Sequence, residues 1–312
     1  MTTSIKRIAV IGTGVIGSGW IIRFLANKKT VYVFDPNKEQ KKFVLNEITR
    51  TQRSVKKFYK INSINRKNLI FAKSIEEAVK DADLIQENVP ENESIKMKVV
   101  REISKHGNKK TIIASSSSGF LPSNIQTACK NPERFIIAHP FNPVYLLPLV
   151  ELVKGKKTTN LYIKKASKFY QSIGMYPLIL KKEIAGYLSD RLQESMWRKA
   201  LHIINENYAS TEDLDEAIIH GPGLRWPLMG SFLSFHLAGG KMGMKHMLEQ
   251  FGPALKLPWT KLKAPKLTKQ LSNKIIQGTK KQSKGKSIKH LANMRDNFLI
   301  DLLKLKNKYR IK

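Results

Sequence analysis

Short apolar runs rich in β-branched residues alternate with longer amphipathic stretches along the first part of the chain. Residues 6–11 have a strand pattern, a glycine turn follows, and residues 20–26 have the apolar spacing of a helix. Further strand patterns follow at 30–34, 82–85, 111–114, 135–138, 149–153 and 176–180. This alternation predicts an α/β domain with a mostly parallel, doubly wound sheet.

Two segments depart from this alternation. Residues 38–73 are rich in lysine, contain no glycine and have helical spacing, which predicts a pair of helices inserted after the second strand. From about residue 183 the strand patterns end, and residues 187–205 and 211–219 have helical spacing, the second with Ser210 or Thr211 as its cap. We therefore predict two domains, a doubly wound domain at 1–183 and an all-α domain at 184–312.

The last segment of the chain, residues 280–312, is strongly basic but contains an apolar helical face. The side chains that share this face are Leu291, Met294, Phe298, Leu302, Leu305 and Tyr309. Because their spacing is that of a helix with one apolar stripe, the segment is predicted to pack against another part of the chain or to form a dimer contact.

Composition narrows the class of protein. The 312 residues carry a formal net charge of +32, but the lysines are spread over every segment, so we expect no nucleic-acid site. Cys129 is the single cysteine, and no Cys and His cluster has the spacing of a metal site. The N-terminus lacks a signal-peptide pattern and no apolar run is long enough to span a bilayer, so we expect a cytoplasmic protein without a membrane partner.

The glycine turn after the first strand has the sequence Gly12-Thr-Gly-Val-Ile-Gly17. Gly12 permits the tight turn, Gly14 lets a pyrophosphate approach the backbone, and Gly17 lets the following helix pack against the sheet. The start of that helix adds amide donors and a positive dipole end. Asp35 ends the second strand, where a carboxylate accepts both ribose hydroxyls of NAD and repels the 2′-phosphate of NADP. The pattern predicts a Rossmann-type domain that binds NAD.

One histidine and one glutamate stand in the apolar, proline-interrupted run 138–153. If the strands at 135–138 and 149–153 are neighbours, His139 and Glu151 can meet. A glutamate fixes the tautomer of an imidazole and raises its basicity, so His139 could take the proton of a substrate hydroxyl while hydride leaves the carbon. The alternative is a structural histidine with an outward-facing glutamate.

The run Ala138-His-Pro-Phe-Asn-Pro143 with Glu151, together with the glycine motif and Ala114-Ser-Ser-Ser-Ser118, resembles the 3-hydroxyacyl-CoA dehydrogenase superfamily. The resemblance covers nearly the whole chain. It implies an NAD-dependent dehydrogenase in which His139 and Glu151 are the catalytic dyad and Ser118 hydrogen-bonds the substrate. It also implies a homodimer formed through the second domain.

The same resemblance implies further contacts at the cofactor. The superfamily places an acid, a lysine and an asparagine there, which correspond here to Glu91, Lys96 and Asn142. No metal ion is implied by the resemblance.

Two departures from the acyl-CoA enzymes bear on the substrate. Asp190 precedes Arg191 where those enzymes have an asparagine, and an acid near the reacting carbon favours a cationic substrate. Arg225, within Gly223-Leu-Arg-Trp226, could clamp a free carboxylate through two hydrogen bonds. We therefore expect a small 3-hydroxy acid that carries a cation, with Tyr145 and Trp226 among the aromatic side chains that could face the cation.

Other interpretations stay open within this resemblance. The substrate could be a short-chain acyl-CoA thioester, or a sugar acid, because enzymes acting on sugar acids share the glycine-arginine-aromatic pattern. A non-catalytic protein is a different class of interpretation, because the superfamily includes lens crystallins. The intact glycine turn, Asp35, Ser118, His139 and Glu151 argue against that class.

Overall fold

The computed structural model describes residues 5–260 and 263–309. The chain divides into two compact units, Met1–Asp190 and Arg191–Lys312. The predicted fold class, a Rossmann-type doubly wound sheet followed by helices, is confirmed. The predicted domain boundary between residues 183 and 184 stays a prediction.

The first unit is built on one eight-stranded sheet. Its strands are β1 (Arg7–Ile11), β2 (Thr30–Phe34), β3 (Leu69–Phe71), β4 (Leu84–Glu87), β5 (Ile112–Ser115), β6 (Phe135–Pro140), β7 (Leu149–Lys154) and β8 (Tyr176–Ile179). Their order across the sheet is β3-β2-β1-β4-β5-β6-β7-β8. The strands from β1 to β6 pair in parallel, β7 is antiparallel to β6, and β8 is parallel to β7. The carboxyl ends of β1 to β6 therefore meet at one edge, where ligands of such sheets bind.

The helices of the first unit follow the strands in the expected alternation. They are α1 (Val15–Ala26), α2 (Glu39–Tyr59), α3 (Ile75–Val79), α4 (Glu93–His106), α5 (Pro122–Ile125) and α6 (Asn160–Ser172). β1 and β4 are buried almost throughout, because helices cover the sheet. Asn92 caps α4 by accepting a hydrogen bond from the backbone N–H of Ile95 at 3.1 Å.

The prediction of two helices at 38–73 is wrong for the second half of that segment. α2 is a single long helix, and the chain then forms a short 3-10 turn at Arg66–Asn68 and the edge strand β3. Lys60 ends α2 in a left-handed conformation with φ 55°, a position usually taken by glycine. The absence of glycine therefore concealed the helix end. β3 has only three residues, too few for a strand pattern to stand out.

A buried arginine in α1 holds the segment that follows β6. The guanidinium of Arg23 is fully buried and donates to the backbone carbonyls of Val144 at 2.6 Å, Leu147 at 3.0 Å and Ile173 at 3.1 Å. Burial lowers the pKa of Arg23, since its partners are neutral carbonyls rather than carboxylates. The bonds to Val144 and Leu147 fix the path of the chain immediately after the strand that carries His139, and the bond to Ile173 joins α1 to the end of α6.

The described part of the second unit is helical. Its elements are α7 (Ser189–Asn205, which begins in the first unit), α8 (Thr211–Ile219), α9 (Trp226–Ala238), α10 (Met244–Phe251), α11 (Lys269–Gln282) and α12 (Ile288–Lys308). Ser210 is the cap of α8, in a reciprocal capping box with Asp213. α12 lies within the basic segment 280–312, whose last three residues are outside the described residues. The apolar face predicted for it stays largely exposed, with Phe298 67% exposed.

Candidate active site

The glycine turn between β1 and α1 has the geometry of a dinucleotide site. Gly12 has φ +87°, and a Cβ there would lie 2.8 Å from the backbone of Asn88, so only glycine fits. A Cβ on Gly17 would collide with the carbonyl oxygen of Gly12. Gly14, by contrast, faces open space, and no side chain caps the start of α1. The residues present therefore fit a pyrophosphate at the N-terminus of α1.

Asp35 lies beside this turn, immediately after β2. Its Oδ2 accepts hydrogen bonds from the backbone N–H of Thr13 at 2.8 Å and from the Thr13 hydroxyl at 3.0 Å, and its Oδ1 accepts one from the N–H of Asn37 at 3.0 Å. The carboxylate is thereby fixed next to the glycine turn. Recognition of the ribose of NAD by Asp35 stays a prediction.

His139 and Glu151 are brought together by the pairing of β6 with β7. They are direct partners in the antiparallel register, so their side chains lie on the same face of the sheet. Nδ1 of His139 lies 3.0 Å from Oε2 of Glu151. Glu151 is fully buried and His139 nearly so. A carboxylate at Nδ1 fixes the tautomer in which Nε2 is the nitrogen available to accept a proton.

The second oxygen of Glu151 is held by the start of α7. Oε1 accepts hydrogen bonds from the backbone N–H of Leu188 at 3.1 Å, from the N–H of Ser189 at 3.0 Å and from the Ser189 hydroxyl at 3.1 Å. Burial raises the pKa of Glu151, but hydrogen bonds with His139, Ser189 and Leu188 outweigh burial and leave it below its usual value. Sequence reasoning missed Ser189, whose only signal is its place at the start of a predicted helix.

Asp190 approaches the other side of the imidazole. Its Oδ2 lies 3.7 Å from Nε2 of His139, and its side chain is 27% exposed. The imidazole thus stands between two carboxylates, one fully buried and one that solvent reaches. A carboxylate beside the proton-accepting nitrogen attracts a cationic group on a substrate bound there.

Two aromatic rings flank His139. The ring of Phe141 lies 5.1 Å away in an edge-to-face arrangement, and the ring of Tyr187 lies 5.5 Å away and tilted. Tyr187 is fully buried, and its hydroxyl donates to the carbonyl of Phe120 at 2.8 Å. Burial raises the pKa of Tyr187, so it is a neutral hydrogen-bond donor. Sequence reasoning missed this contact, because Tyr187 stood only at the start of a predicted helix.

Glu91 connects the loop after β4 with the loop after β5. Its Oε1 accepts hydrogen bonds from the Ser117 hydroxyl at 2.6 Å, from the N–H of Ser118 at 3.0 Å and from the N–H of Gly119 at 3.1 Å. Burial raises the pKa of Glu91, but the Ser117 hydroxyl and the charge of Lys96 outweigh it and lower the pKa. Ser118, the predicted substrate contact, therefore sits in a loop that an ionised carboxylate holds.

Lys96 is far more buried than its predicted contact with the cofactor would suggest. Its side chain is 1% exposed, and its ammonium group lies 3.1 Å from Glu87 Oε1, 3.0 Å from the carbonyl of Val89 and 3.3 Å from Glu91 Oε2. Glu87 is itself fully buried at the end of β4. Sequence reasoning missed Glu87, because it placed the end of this strand at residue 85.

Asn142 and Tyr145 lie in the segment after β6. Asn142 is exposed and precedes a cis peptide bond to Pro143. Tyr145 is buried, and its hydroxyl lies 3.5 Å from Nη2 of Arg50 in α2. The structure thus places the Tyr145 hydroxyl next to a protein cation inside the first unit, and a contact of its ring with a substrate cation stays a prediction.

Arg225 and Trp226 belong to the second unit. Arg225 is exposed and immediately precedes α9, and Trp226 is the first residue of that helix and half-buried. α9 is kinked at Gly230, which has φ +66°. Because Arg225 is exposed, its guanidinium is accessible for binding an anion.

Among residues 5–260 and 263–309, no helix is long and apolar enough to cross a membrane. Among the same residues, no group of three or more His, Cys, Asp or Glu side chains could hold a metal ion.

The sheet, the glycine turn with Asp35 and the strand-borne histidine define a class, the NAD-dependent dehydrogenases. The family model described as 3-hydroxyacyl-CoA dehydrogenase, NAD binding domain, matches residues 7–184, and the one described as 3-hydroxyacyl-CoA dehydrogenase, C-terminal domain, matches residues 186–285. The chain belongs to the 3-hydroxyacyl-CoA dehydrogenase family, and NAD is its cofactor. The resemblance identified in the sequence is confirmed.

Individual relatives and a solved structure are similar to this chain over almost its whole length. The chain is 52% identical to an L-carnitine dehydrogenase of Bacillus cereus, over 98% of this chain and 94% of the relative. It is 50% identical to an L-carnitine dehydrogenase of Oceanobacillus iheyensis, over 97% of this chain and 99% of the relative. Among solved structures, 5-formyl-3-hydroxy-2-methylpyridine 4-carboxylic acid 5-dehydrogenase has the same fold. Its TM-score with this chain is 0.80, and the two are 23% identical over 97% of this chain and 99% of that chain.

Proposed function

We propose that this chain oxidises the 3-hydroxyl group of L-carnitine to 3-dehydrocarnitine. The observation that carries the proposal is the Asp190 carboxylate 3.7 Å from Nε2 of His139, a negative charge beside the nitrogen that takes the proton. L-Carnitine carries a quaternary ammonium group one carbon away from its hydroxyl carbon, so a carboxylate here stabilises the bound substrate. Relatives named L-carnitine dehydrogenase, 43–52% identical to this chain, support the same substrate.

Four side chains have a role in the proposed oxidation. His139 takes the hydroxyl proton at Nε2, and Glu151 holds the ring and stabilises the imidazolium that forms. The Ser118 hydroxyl donates to the developing carbonyl oxygen. When bound, NAD accepts the hydride that leaves the substrate carbon. Asp190 then lies on the ammonium side of the substrate.

The cofactor contacts in this proposal come from two groups of residues. The adenosine and pyrophosphate half is held by Gly12, Gly14, Gly17 and Asp35, because Gly14 faces open space at the start of α1 and the Asp35 carboxylate is fixed beside the turn. We propose that Glu91, Lys96 and Asn142 form the nicotinamide side of the site. Lys96 belongs to that side through Glu91, which its ammonium group contacts.

The carboxylate of L-carnitine requires a cation of its own. We propose Arg225 for this role, because an exposed guanidinium binds a carboxylate through two parallel hydrogen bonds. Trp226, next to it, is proposed as an aromatic surface for the substrate. Tyr145 is not included in this proposal, because its ring is buried beside Arg50.

The test is a direct assay of the purified protein with NAD, in which NADH absorbance is followed with four substrates offered separately. These are L-carnitine, D-carnitine, L-gulonate and 3-hydroxybutyryl-CoA. Turnover of L-carnitine alone supports the proposal. Turnover of the thioester or of the sugar acid, with none of L-carnitine, would overturn the substrate and the roles of Asp190 and Arg225.

We also propose that the protein is a homodimer. Large apolar side chains are exposed on the described part of the second unit, among them Phe232, Leu255, Trp259 and Phe298. Exposed apolar surface of this kind is typical of protein contacts. Light scattering after size-exclusion chromatography measures the mass directly, and a monomer at micromolar concentration would contradict this proposal. Phe298→Glu is expected to weaken the dimer if α12 lies in the contact.

A further inference from the structure

The short segment between β8 and α7 contacts the loop after β5, which carries the proposed substrate contact Ser118. The N–H of Gly186 donates to the carbonyl of Gly119 at 3.2 Å, and the Tyr187 hydroxyl donates to the carbonyl of Phe120 at 2.8 Å. Because Tyr187 is fully buried, leaving its hydroxyl without an acceptor would be costly. Two adjacent residues thus bind the two residues of the loop that follow Ser118.

The same segment also contacts the dyad. The ring of Tyr187 lies 5.5 Å from the ring of His139, measured between their centres. The two residues that follow Tyr187 donate their backbone N–H groups to Oε1 of Glu151 at 3.1 and 3.0 Å. Tyr187 therefore contacts the loop after β5 through its hydroxyl and the imidazole through its ring. One buried side chain connects the proposed hydrogen-bond donor Ser118 with the proposed base His139.

The backbone has an uncommon conformation at this point. Gly186 has φ 71° and Tyr187 has φ 43°, so two successive residues are left-handed. Glycine adopts this conformation freely, whereas a bulky aromatic residue adopts it at a cost in free energy. Such residues persist where the surrounding structure holds them, and they concentrate at functional sites. Here the turn directs the Tyr187 ring to His139, while the N–H groups that follow it reach Glu151.

We propose that Tyr187 is a positioning residue, which fixes the loop that carries Ser118 relative to the imidazole of His139. In the proposed oxidation, His139 takes a proton from the same substrate oxygen to which Ser118 donates. The distance between the two residues must therefore match one atom, and an error of about 1 Å costs on the order of a hundredfold in rate. The inference rests on the proposed roles of Ser118 and His139, but the contact itself can be tested without substrate.

The hydrogen bonds from Glu91 do not replace this contact. Glu91 lies in the loop after β4, and its carboxylate accepts hydrogen bonds from donors at residues 117–119. Tyr187 instead binds the carbonyl of Phe120, and its ring packs against a residue of β6. The loop after β5 is thus held from two directions, and the contact with Tyr187 is the one that leads to the imidazole.

The main variant is Tyr187→Phe, which removes the hydroxyl and keeps the ring and its packing against His139. The matched control is Tyr170→Phe in α6. Tyr170 is also fully buried, and its hydroxyl donates to Oε1 of Gln86 at 2.6 Å. Each variant removes one hydrogen bond of a buried tyrosine, so both should lower Tm by a similar amount, on the order of a few degrees. A difference between them at the site therefore reports the contact rather than global stability.

Amide hydrogen exchange tests the contact without substrate. The N–H of Gly186 donates to the loop, so its exchange should become about tenfold faster in Tyr187→Phe and stay within about twofold of wild type in Tyr170→Phe. Unchanged exchange in Tyr187→Phe would overturn the proposal, and so would equal acceleration in both variants. These rates decide the contact even if no tested substrate is turned over, a result that would count against the proposed function alone.

Kinetics distinguish a positioning role from a structural one. Tyr187→Phe should lower kcat about fivefold and change KM by less than about twofold, because the displaced Ser118 hydroxyl acts mainly in the transition state. In a Ser118→Ala background, the same change should lower kcat by less than about twofold. Losses that multiply would mean that the Tyr187 hydroxyl does not act through Ser118, and would overturn the proposal.

Tyr187→Leu tests the contribution of the ring. It removes the ring together with the hydroxyl, so kcat should fall about tenfold below that of Tyr187→Phe. This additional loss should persist in the Ser118→Ala background, because the ring acts on His139 rather than on Ser118. Equal kcat values for Tyr187→Phe and Tyr187→Leu would overturn the role of the ring. Tyr187→Met, which has an unbranched apolar side chain, is used in the same way if the leucine variant does not fold.

Discussion

Nδ1 of His139 lies 3.0 Å from Oε2 of Glu151, and the two residues are directly opposite each other in the antiparallel pair of β6 and β7. This position depends on the strand register, because a shift of one residue would turn Glu151 to the other face of the sheet. The antiparallel pairing of β6 and β7 therefore fixes the distance between the two side chains, which is the geometry that the proposed proton transfer requires.

Replacing His139 by Asn should remove turnover with little effect on NAD binding. The general base contributes on the order of a hundredfold to ten-thousandfold in rate, so kcat should fall by that amount. Steady-state kinetics measure the loss, and calorimetry measures the Kd for NAD. His106→Asn, on α4 and outside the described site, is the matched control. A variant that loses NAD affinity instead would contradict the proposed role of His139.

Glu151 should make a pH-dependent contribution to stability. Its pKa is lower in the folded protein than in the unfolded chain, where it is about 4.3. The ionised form therefore stabilises the fold fully above the unfolded value, and this stabilisation is lost as pH falls through the folded pKa. The free energy of unfolding of wild type should exceed that of Glu151→Gln by a constant amount between about pH 7 and pH 5 and by less at lower pH. A difference that grows as pH falls would reverse the assigned direction.

Ser189→Ala should lower kcat about fivefold, because the hydroxyl supplies one of three hydrogen bonds to Glu151 Oε1. The carboxylate becomes more basic, so the acid limb of the kcat/KM profile should move to higher pH. Ser189→Thr keeps a hydroxyl and should restore both values. Ser195→Ala on the same helix serves as control, since the Ser195 hydroxyl donates to the carbonyl of Leu192. An unshifted profile in Ser189→Ala would leave Ser189 with a structural role only.

Asp190→Asn should distinguish a cationic substrate from a neutral one. The change keeps the shape of the side chain and removes its charge, so kcat/KM for L-carnitine should fall on the order of tenfold to a hundredfold. With 3-hydroxybutyrate, which lacks the ammonium group, the same variant should lose little. Both substrates are measured side by side at low and high salt. Equal losses for the two would mean that Asp190 acts on His139 rather than on the substrate cation.

Several features of this protein were predictable because they depend on local sequence. The glycine turn, a cap at Ser210 or Thr211 and the bounds of α8 follow from residue types at fixed spacing, and the structure shows Ser210 to be the cap. The end of α2 at Lys60 could not be predicted from the sequence, because a lysine occupies the left-handed conformation that glycine usually takes. β3 escaped notice for the related reason that three residues carry too little pattern.

The sequence by itself determined the Rossmann-type class, NAD as the cofactor, and His139 and Glu151 as two side chains that meet if their strands are neighbours. Only the tertiary structure decided that Glu151 is held by Ser189, that Lys96 turns inward to Glu87, and that Tyr145 is buried beside Arg50. The physical reason is that these contacts join residues from separate elements, 9 to 95 positions apart. Periodicity and motif spacing report one element at a time, whereas burial and charge pairing depend on how strands and helices meet.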